Sequence, residues 1–173
     1  MIAHKIKREG TDRYKRLALY VLDVSRDADP RVLDTPAFNR LVDYISDRPS
    51  EKERVVGARI TNCGSDRLSD AIREIDATQA MNKRSKSDKG YHLVFSFPEG
   101  ERPSLEQLRD IEDHLVRSIG LGEHQRISAI HDDTDNLHVH VAINKIHPTT
   151  FRNVTPFMDA HKLMVACIEL EQK

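Results

Sequence analysis

The sequence predicts an α+β fold in which helices cover one face of a mostly antiparallel sheet. Short runs that alternate apolar and polar residues, as half-buried strands do, occur near positions 55, 91, 126 and 137. Between them lie stretches whose apolar residues recur every three or four positions, as in amphipathic helices. The alternation predicts that one sheet face packs on the helices and that the other face is open to a ligand.

The first third of the chain is predicted to hold two strands and two helices. Thr35 is a suitable N-cap, and Pro36 is favoured at the first position of a helix. Tyr14, Leu17 and Val21 have the helical spacing of a buried stripe. We expect a strand over 2–7, helices over 12–23 and 36–47, and a strand over 55–62.

The rest of the chain continues the alternation of helices and strands. Ser104 is a suitable N-cap for an amphipathic helix that Gly120 ends. Pro156 is expected to open the last helix. The remaining elements are a helix over 66–81, a polar basic loop over 82–90, a strand over 91–97, a helix over 105–119, and strands over 126–131 and 137–144.

Composition indicates one globular domain over residues 1–173 and a cytoplasmic location. The chain has two cysteines, without a CxxC pair, and no apolar run long enough to span a membrane. Its last predicted helix has no cap, so we expect the domain to belong to a longer protein. The net charge of −1 argues against bulk attraction to nucleic acid. Two basic clusters, within 4–16 and 83–89, would matter for function if they converge on one site.

The most informative segment is HDDTDNLHVHVAIN, residues 131–144. If 137–144 is a strand, His138 and His140 share one face, with Cβ atoms about 7 Å apart. The preceding strand ends at His131, and the turn between them brings this third imidazole to the same place. A single strand histidine is more often a surface residue, but three in this pattern predict a metal site. Three neutral nitrogens leave coordination positions open, which is typical of a catalytic metal.

Several blocks of the sequence resemble conjugative relaxases of the MOBP class, which are members of the HUH endonuclease superfamily. The matching patterns are HxDxDNxHxHxxxN at 131–144 and ATQxxNxRSxxDKxYHLxxSF at 77–97, with DYISD, RITNC, GLGEHQRISAIH and NKIHPTTFRNVTPF in the expected order. The resemblance implies a ferredoxin-like HUH fold. It also implies an enzyme that nicks one DNA strand at an origin of transfer, keeps the 5′ phosphate on a tyrosine and leaves a free 3′ hydroxyl.

The resemblance implies a role for each histidine and for the cation. His131, His138 and His140 would bind a divalent ion that polarises the scissile phosphate: Mg²⁺ or Mn²⁺ in function, although imidazole ligands favour Zn²⁺ or Ni²⁺ on affinity. In the family, the histidine matching His131 has also been assigned to activate the tyrosine. We favour the ligand role for His131. Asp133 is expected to orient one of the histidine rings without binding the ion itself.

The nucleophile has two candidates. Tyr44 matches the family position before the RITNC strand and is flanked by Asp43 and Ser46, a polar edge. Tyr20 holds the equivalent place in a related helix, among apolar neighbours that predict packing in a core. Tyr44 is the preferred nucleophile, and Tyr20 stays open as a second phenol for a later strand-transfer step.

The loop that matches the middle motif of the family is expected to contact DNA phosphates. It supplies four cations and a small hydroxyl, and the polar face of the last strand adds an amide. The expected DNA-binding residues are Lys83, Arg84, Ser85, Lys86, Lys89 and Asn144.

The expected partners are single-stranded DNA of the transfer origin, accessory relaxosome proteins and a coupling protein, without a membrane. Other functions stay open: a replication-initiator nuclease of the same superfamily, an inactive DNA-binding relative, a zinc-stabilised structural module, or a hydrolase that uses metal-bound hydroxide. Of these, the relaxase and the initiator form a covalent link to DNA, whereas the other three do not.

Overall fold

The structure is a computed structural model that describes residues 1–7, 14–23, 55–132 and 136–172. The predicted helix over 36–47 lies outside these residues. The described part has five strands and four helices: β1 (Ile2–Ile6), α1 (Tyr14–Val21), β2 (Val55–Thr61), α2 (Leu68–Met81), β3 (Gly90–Ser96), α3 (Leu105–Ser118), β4 (Arg126–His131), β5 (His138–Asn144) and α4 (Asp159–Glu171).

The five strands form one sheet in the order β1-β3-β5-β4-β2, and every neighbouring pair is antiparallel. The predicted α+β fold with an antiparallel sheet is therefore confirmed. Strands β3 and β5, in which all residues but one are buried, lie at or next to the centre of the sheet, where both faces can be covered. The antiparallel pairing of β4 with β5 places His131 directly opposite His138.

Helices α3 and α4 cover one face of the sheet, as the apolar alternation predicted. Leu93, Phe95 and Val141 from this face are fully buried against Leu115 of α3 and Leu163 of α4. The Ser104 side chain and Gln107 form a capping box at the start of α3. Gly120 follows the end of the helix with φ +79°, a conformation that glycine adopts without strain.

The opposite face, which was expected to be open, is partly covered by α1 and α2. Ala142, Ala129 and Ile127 on this face pack in a second core with these two helices. Two of the three side chains are alanines, so the α1 backbone comes close enough for the Tyr14 hydroxyl to donate to the Ala142 carbonyl at 2.6 Å. The sequence pattern missed this core because small apolar residues between polar ones look like a solvated face. The histidines lie on the same face, beyond the end of α1.

The start of the last helix differs from the prediction. We expected α4 to open at Pro156, but it begins at Asp159. Met158 has φ +53°, in the left-handed region, so the helical hydrogen-bond pattern cannot extend back through it. The segment before α4 is therefore a turn that carries the exposed side chain of Phe157.

Candidate metal centre

Three histidines meet at one end of the β4–β5 pair. His131 ends β4, His138 begins β5 directly opposite it, and His140 follows on the same side two residues later. One ring nitrogen from each can be chosen so that all three lie within 4.8 Å of one another. The ring centroids are 4.6–5.3 Å apart. The predicted convergence of the three imidazoles on one face of the sheet is confirmed.

Two of these rings are held by backbone carbonyls. His131 Nε2 lies 2.7 Å from the carbonyl oxygen of Val21, the last residue of α1. His138 Nδ1 lies 3.0 Å from the Asn136 carbonyl. A carbonyl oxygen only accepts, so both nitrogens must carry the proton and donate. In neutral rings the opposite nitrogens, Nδ1 of the first and Nε2 of the second, then have the lone pairs that a cation needs.

The third ring is held by a residue that sequence reasoning did not select. His140 Nδ1 lies 2.9 Å from Nε2 of His92 on β3, and His92 is only 2% exposed. Period-two alternation did place this side chain on the face away from the α3–α4 core. Only the pairing of β3 with β5, which sets His140 opposite Val94, shows that the two imidazoles are diagonal neighbours.

The three donors are chemically suited to a divalent cation. They are imidazole nitrogens on adjacent strands, and each ring is held by a hydrogen-bond partner. Three protein ligands leave further coordination positions for oxygen atoms of a substrate. Asp133, which was expected to orient one of the rings, lies outside the described residues. Its neighbour Asp132 forms an ion pair with Arg102 at 2.6 Å.

Tyr20 lies beside this histidine cluster. Its ring makes edge contacts with His92 and His140, at centroid distances of 5.6 and 6.2 Å, and the side chain is 57% exposed. The expectation that Tyr20 packs in a core is therefore wrong. The buried stripe of α1 runs through Tyr14, Leu17 and Val21, and position 20 faces away from it. Tyr44, the preferred nucleophile, lies outside the described residues.

The family profile described as "Relaxase: MobA/VirD2-like, nuclease domain" matches residues 44–173, about three quarters of the chain. The chain belongs to this relaxase family. Two proteins TraI of Escherichia coli are 45% and 44% identical over 149 residues, which is 86% of this chain. Protein MobA of Acidithiobacillus ferrooxidans is 46% identical over 71 residues, 41% of this chain and 17% of that protein. The relaxase chain spans about a fifth of the length of the TraI relatives.

The basic loop of the relaxase domain lies at the other end of the sheet from the histidines. It leads into Gly90, which pairs with Asn144, whereas His138 pairs with Ser96 at the far end of β3. At 3.3 Å per residue, six steps along the strand separate the two ends by about 20 Å. The basic loop and the histidines therefore occupy opposite ends of the sheet, and DNA that contacts both would have to run along it.

The predicted DNA-binding residues of this loop have different surroundings. Lys83, Arg84 and Lys86 are exposed. The Ser85 hydroxyl accepts from Asn153 Nδ2 at 2.7 Å, which fixes the loop. Lys89 is half-buried and has a structural role: its ammonium donates to the Gln79 and Asn82 carbonyls at 2.7 and 2.6 Å, at the end of α2. A cation satisfies the last carbonyls of a helix favourably, so this lysine stabilises α2.

Asn144, also predicted to bind DNA, is fully buried in an amide network. Its Oδ1 accepts from Gln79 Nε2 and from the Ile146 backbone N–H, both at 3.0 Å. Its Nδ2 donates to Gln125 Oε1 at 3.1 Å. With no exposed surface and its amide engaged, Asn144 holds α2 and β5 together and cannot reach a nucleic acid.

Asn144→Ala is expected to lower the free energy of unfolding by about 2–3 kcal/mol, because it leaves a buried backbone N–H and a buried amide without their partner. Urea unfolding followed by circular dichroism measures this loss. Asn82→Ala is the control, since it removes hydrogen bonds at more exposed positions and should cost about 1 kcal/mol or less. Unchanged stability together with weakened DNA binding would return Asn144 to the DNA-binding residues.

Within the described part of the relaxase chain, none of the helices combines the length and apolar character needed to cross a membrane.

Proposed function

We propose that this relaxase domain nicks one strand of DNA at an origin of conjugative transfer by transesterification onto a tyrosine. The observation that carries the proposal is the convergence of three oriented imidazoles beside an exposed phenol, in a chain of the relaxase nuclease family. The phenol oxygen attacks the scissile phosphorus, and the bond from phosphorus to the 3′ oxygen breaks. The phenol loses its proton and the 3′ oxygen takes one up, so the phosphate stays ester-linked to the protein and can be rejoined.

The histidine cluster supports a divalent cation in this reaction. A bound cation supplies Lewis-acid polarisation of a nonbridging phosphate oxygen, which favours attack at phosphorus. His131 donates its Nε2 proton to Val21 and therefore offers Nδ1 to the ion. This bond supports the ligand role for His131 over a role as the base. Mg²⁺ or Mn²⁺ suits the oxygen-rich substrate, and Zn²⁺ or Ni²⁺ suits the nitrogen ligands. Asp133 stays a proposed orienting residue.

Tyr44 is proposed as the nucleophile, with Tyr20 as the second candidate. The family profile begins at residue 44, so its match includes Tyr44 and excludes Tyr20. Among the described residues, however, Tyr20 contacts the histidine cluster. Whichever phenol reacts must give up its proton as its oxygen attacks phosphorus, so a proton acceptor must lie near it. Both tyrosines are therefore kept in the experiments.

The experiment that tests the function uses single-stranded oligonucleotides and supercoiled DNA that carry the cognate transfer origin. With Mn²⁺, the proposal expects a nicked plasmid and a protein–DNA adduct that survives detergent. Mass spectrometry of the adduct should find the oligonucleotide on a tyrosine peptide. A bare 5′ phosphate without an adduct would indicate hydrolysis by metal-bound hydroxide, and binding without cleavage would indicate a DNA-binding module. Cleavage at a replication origin only would favour an initiator nuclease.

The proposed substrate is single-stranded DNA, and the exposed cations of the basic loop are proposed to bind its phosphates. Replacing all three of them with alanine should lower the salt dependence of DNA binding, because each lost phosphate contact removes about 0.7 from the slope of log K against log salt. The expected slope change is about 2, measured by fluorescence anisotropy. The variant is Lys83→Ala, Arg84→Ala and Lys86→Ala.

A matched control removes three exposed cations from the helices on the other face of the sheet. It should leave the salt slope unchanged, since α3 and α4 lie away from the histidine face. Equal slopes for the two triple variants would show that the loop makes no special phosphate contacts. The control variant is Arg109→Ala, Arg117→Ala and Lys162→Ala.

The proposal also assigns the domain to the bacterial cytoplasm, where it would act with accessory relaxosome proteins and a coupling protein. These partners follow from the proposed role in conjugative transfer and from the family.

A further inference from the structure

The buried histidine on β3 is in direct contact with the histidine cluster. His92 is 2% exposed, and its Nε2 lies 2.9 Å from Nδ1 of His140. The ring centroids of this pair are 5.1 Å apart, and Tyr20 makes an edge contact with the His92 ring at 5.6 Å between centroids. An imidazole is costly to bury unless its polar atoms are hydrogen-bonded, so this contact fixes the orientation of both rings.

The direction of this hydrogen bond decides whether His140 can bind a cation. If His92 donates from Nε2, His140 accepts at Nδ1 and its own proton is on Nε2, the nitrogen on the far side of the ring. If His140 donates from Nδ1, its Nε2 carries the lone pair. Backbone carbonyls already decide which nitrogens of His131 and His138 can bind a metal. Only the second arrangement adds a metal-binding nitrogen from His140 as the third ligand.

We infer that His92 is a positioning residue of the metal centre, which accepts a hydrogen bond from His140 Nδ1 and so presents His140 Nε2 to the cation. His131 and His138 are held by the backbone carbonyls of Val21 and Asn136, whereas His140 is held by a side chain. Its orientation can therefore be lost by a single substitution. This inference rests on the metal-dependent part of the proposed function.

The test measures Mn²⁺ binding to the whole chain by calorimetry, without DNA. His92→Leu removes the acceptor and is expected to raise the Kd for Mn²⁺ by about 10–100-fold, as for other partners of metal-bound histidines. His92→Gln offers an amide oxygen at a similar reach and should recover most of the affinity. Equal Kd values for wild type and His92→Leu, or a Gln variant as weak as the Leu variant, would overturn the inference.

His124→Leu is the matched control. His124 is also a buried histidine, 1% exposed, and its Nδ1 donates to the Asn144 carbonyl at 2.7 Å, at the opposite end of β5. Its loss should lower the melting temperature about as much as His92→Leu does, while the Kd for Mn²⁺ stays within about twofold of wild type. A control that loses as much Mn²⁺ affinity as His92→Leu would show a general effect of destabilisation, against the inference.

Imidazole ¹⁵N spectra of the Zn²⁺-loaded wild-type chain give a second test that needs no variant. The expected result is His140 with its proton on Nδ1 and the metal on Nε2; ligation through Nδ1 would overturn the inference even if His92→Leu does not fold. A wild-type chain that binds neither Mn²⁺ nor Zn²⁺ would overturn both this inference and the metal step of the proposed function. A chain that binds Mn²⁺ equally well without the acceptor would overturn this inference alone.

Discussion

His138→Ala is expected to abolish Mn²⁺ binding and DNA nicking together. The substitution removes one of three imidazoles whose nitrogens lie within 4.8 Å of one another. Loss of a hydrogen-bond partner of a ligand costs 10–100-fold in affinity, so loss of the ligand itself should cost more than about 100-fold. Nicking should fall by at least the same factor, because two nitrogens hold the ion too weakly to polarise the phosphate.

His138 is the best choice among the three ligands for this experiment. It is less buried than His131, so its truncation should leave the fold intact. His161→Ala, at an exposed position of α4, is the control and should behave as wild type. Calorimetry with Mn²⁺ and a gel assay of plasmid nicking measure the two effects. Nicking by His138→Ala at the wild-type rate, or nicking by wild type in excess chelator, would remove the cation from the mechanism.

Tyr44→Phe is expected to eliminate the covalent protein–DNA adduct while DNA binding stays within about threefold of wild type. The change removes only the oxygen that attacks phosphorus, and loss of a nucleophile lowers turnover by more than about 1000-fold. The adduct is measured by denaturing gel electrophoresis with a labelled oligonucleotide, and binding is measured by anisotropy.

Tyr20→Phe is the matched variant for this prediction. Its ring contacts with His92 and His140 survive the substitution, so any loss reports on the phenol oxygen alone. Tyr20→Phe should keep the first cleavage. If it loses the adduct while Tyr44→Phe keeps it, the nucleophile is Tyr20. If each single variant keeps partial adduct and the double variant has none, both phenols react.

The histidine cluster was predictable because its determinants are close together in the sequence. His131, His138 and His140 belong to one hairpin, so the two-residue period and a single antiparallel pairing bring their rings together. The capped helix α3 was predictable for the same reason, since Ser104, Gln107 and Gly120 act on their own chain neighbours.

The roles of several polar residues could not be derived from local pattern. Lys89 and Asn144 are residue types that commonly contact DNA. In the structure, however, Lys89 caps the end of α2, and Asn144 is buried between α2 and the residue that precedes β4. Each role depends on a partner that is distant in sequence or on a helix end whose position is set by packing. The sequence contains no periodic signal for such contacts.

The sequence pattern also could not show that helices cover part of the histidine face of the sheet. Ala129 and Ala142 alternate with core residues, and from the pattern alone small side chains on that side are compatible with solvent or with a helix. The docking of α1 on these alanines decides between the two. It also brings the Val21 carbonyl to His131, and so orients one ring of the histidine cluster.

By itself the sequence determined the fold class, the succession of strands and helices along the described part of the chain, and the three histidines that converge. These features follow from the side-chain periods of strands and helices and from the closeness of the histidines in the sequence. The tertiary structure alone decided which ring nitrogens of His131 and His138 face backbone carbonyls, that His92 contacts His140, and that Tyr20 reaches the cluster. These depend on distances of a few ångströms between β3, β5 and α1, and such distances follow from the packing of whole elements.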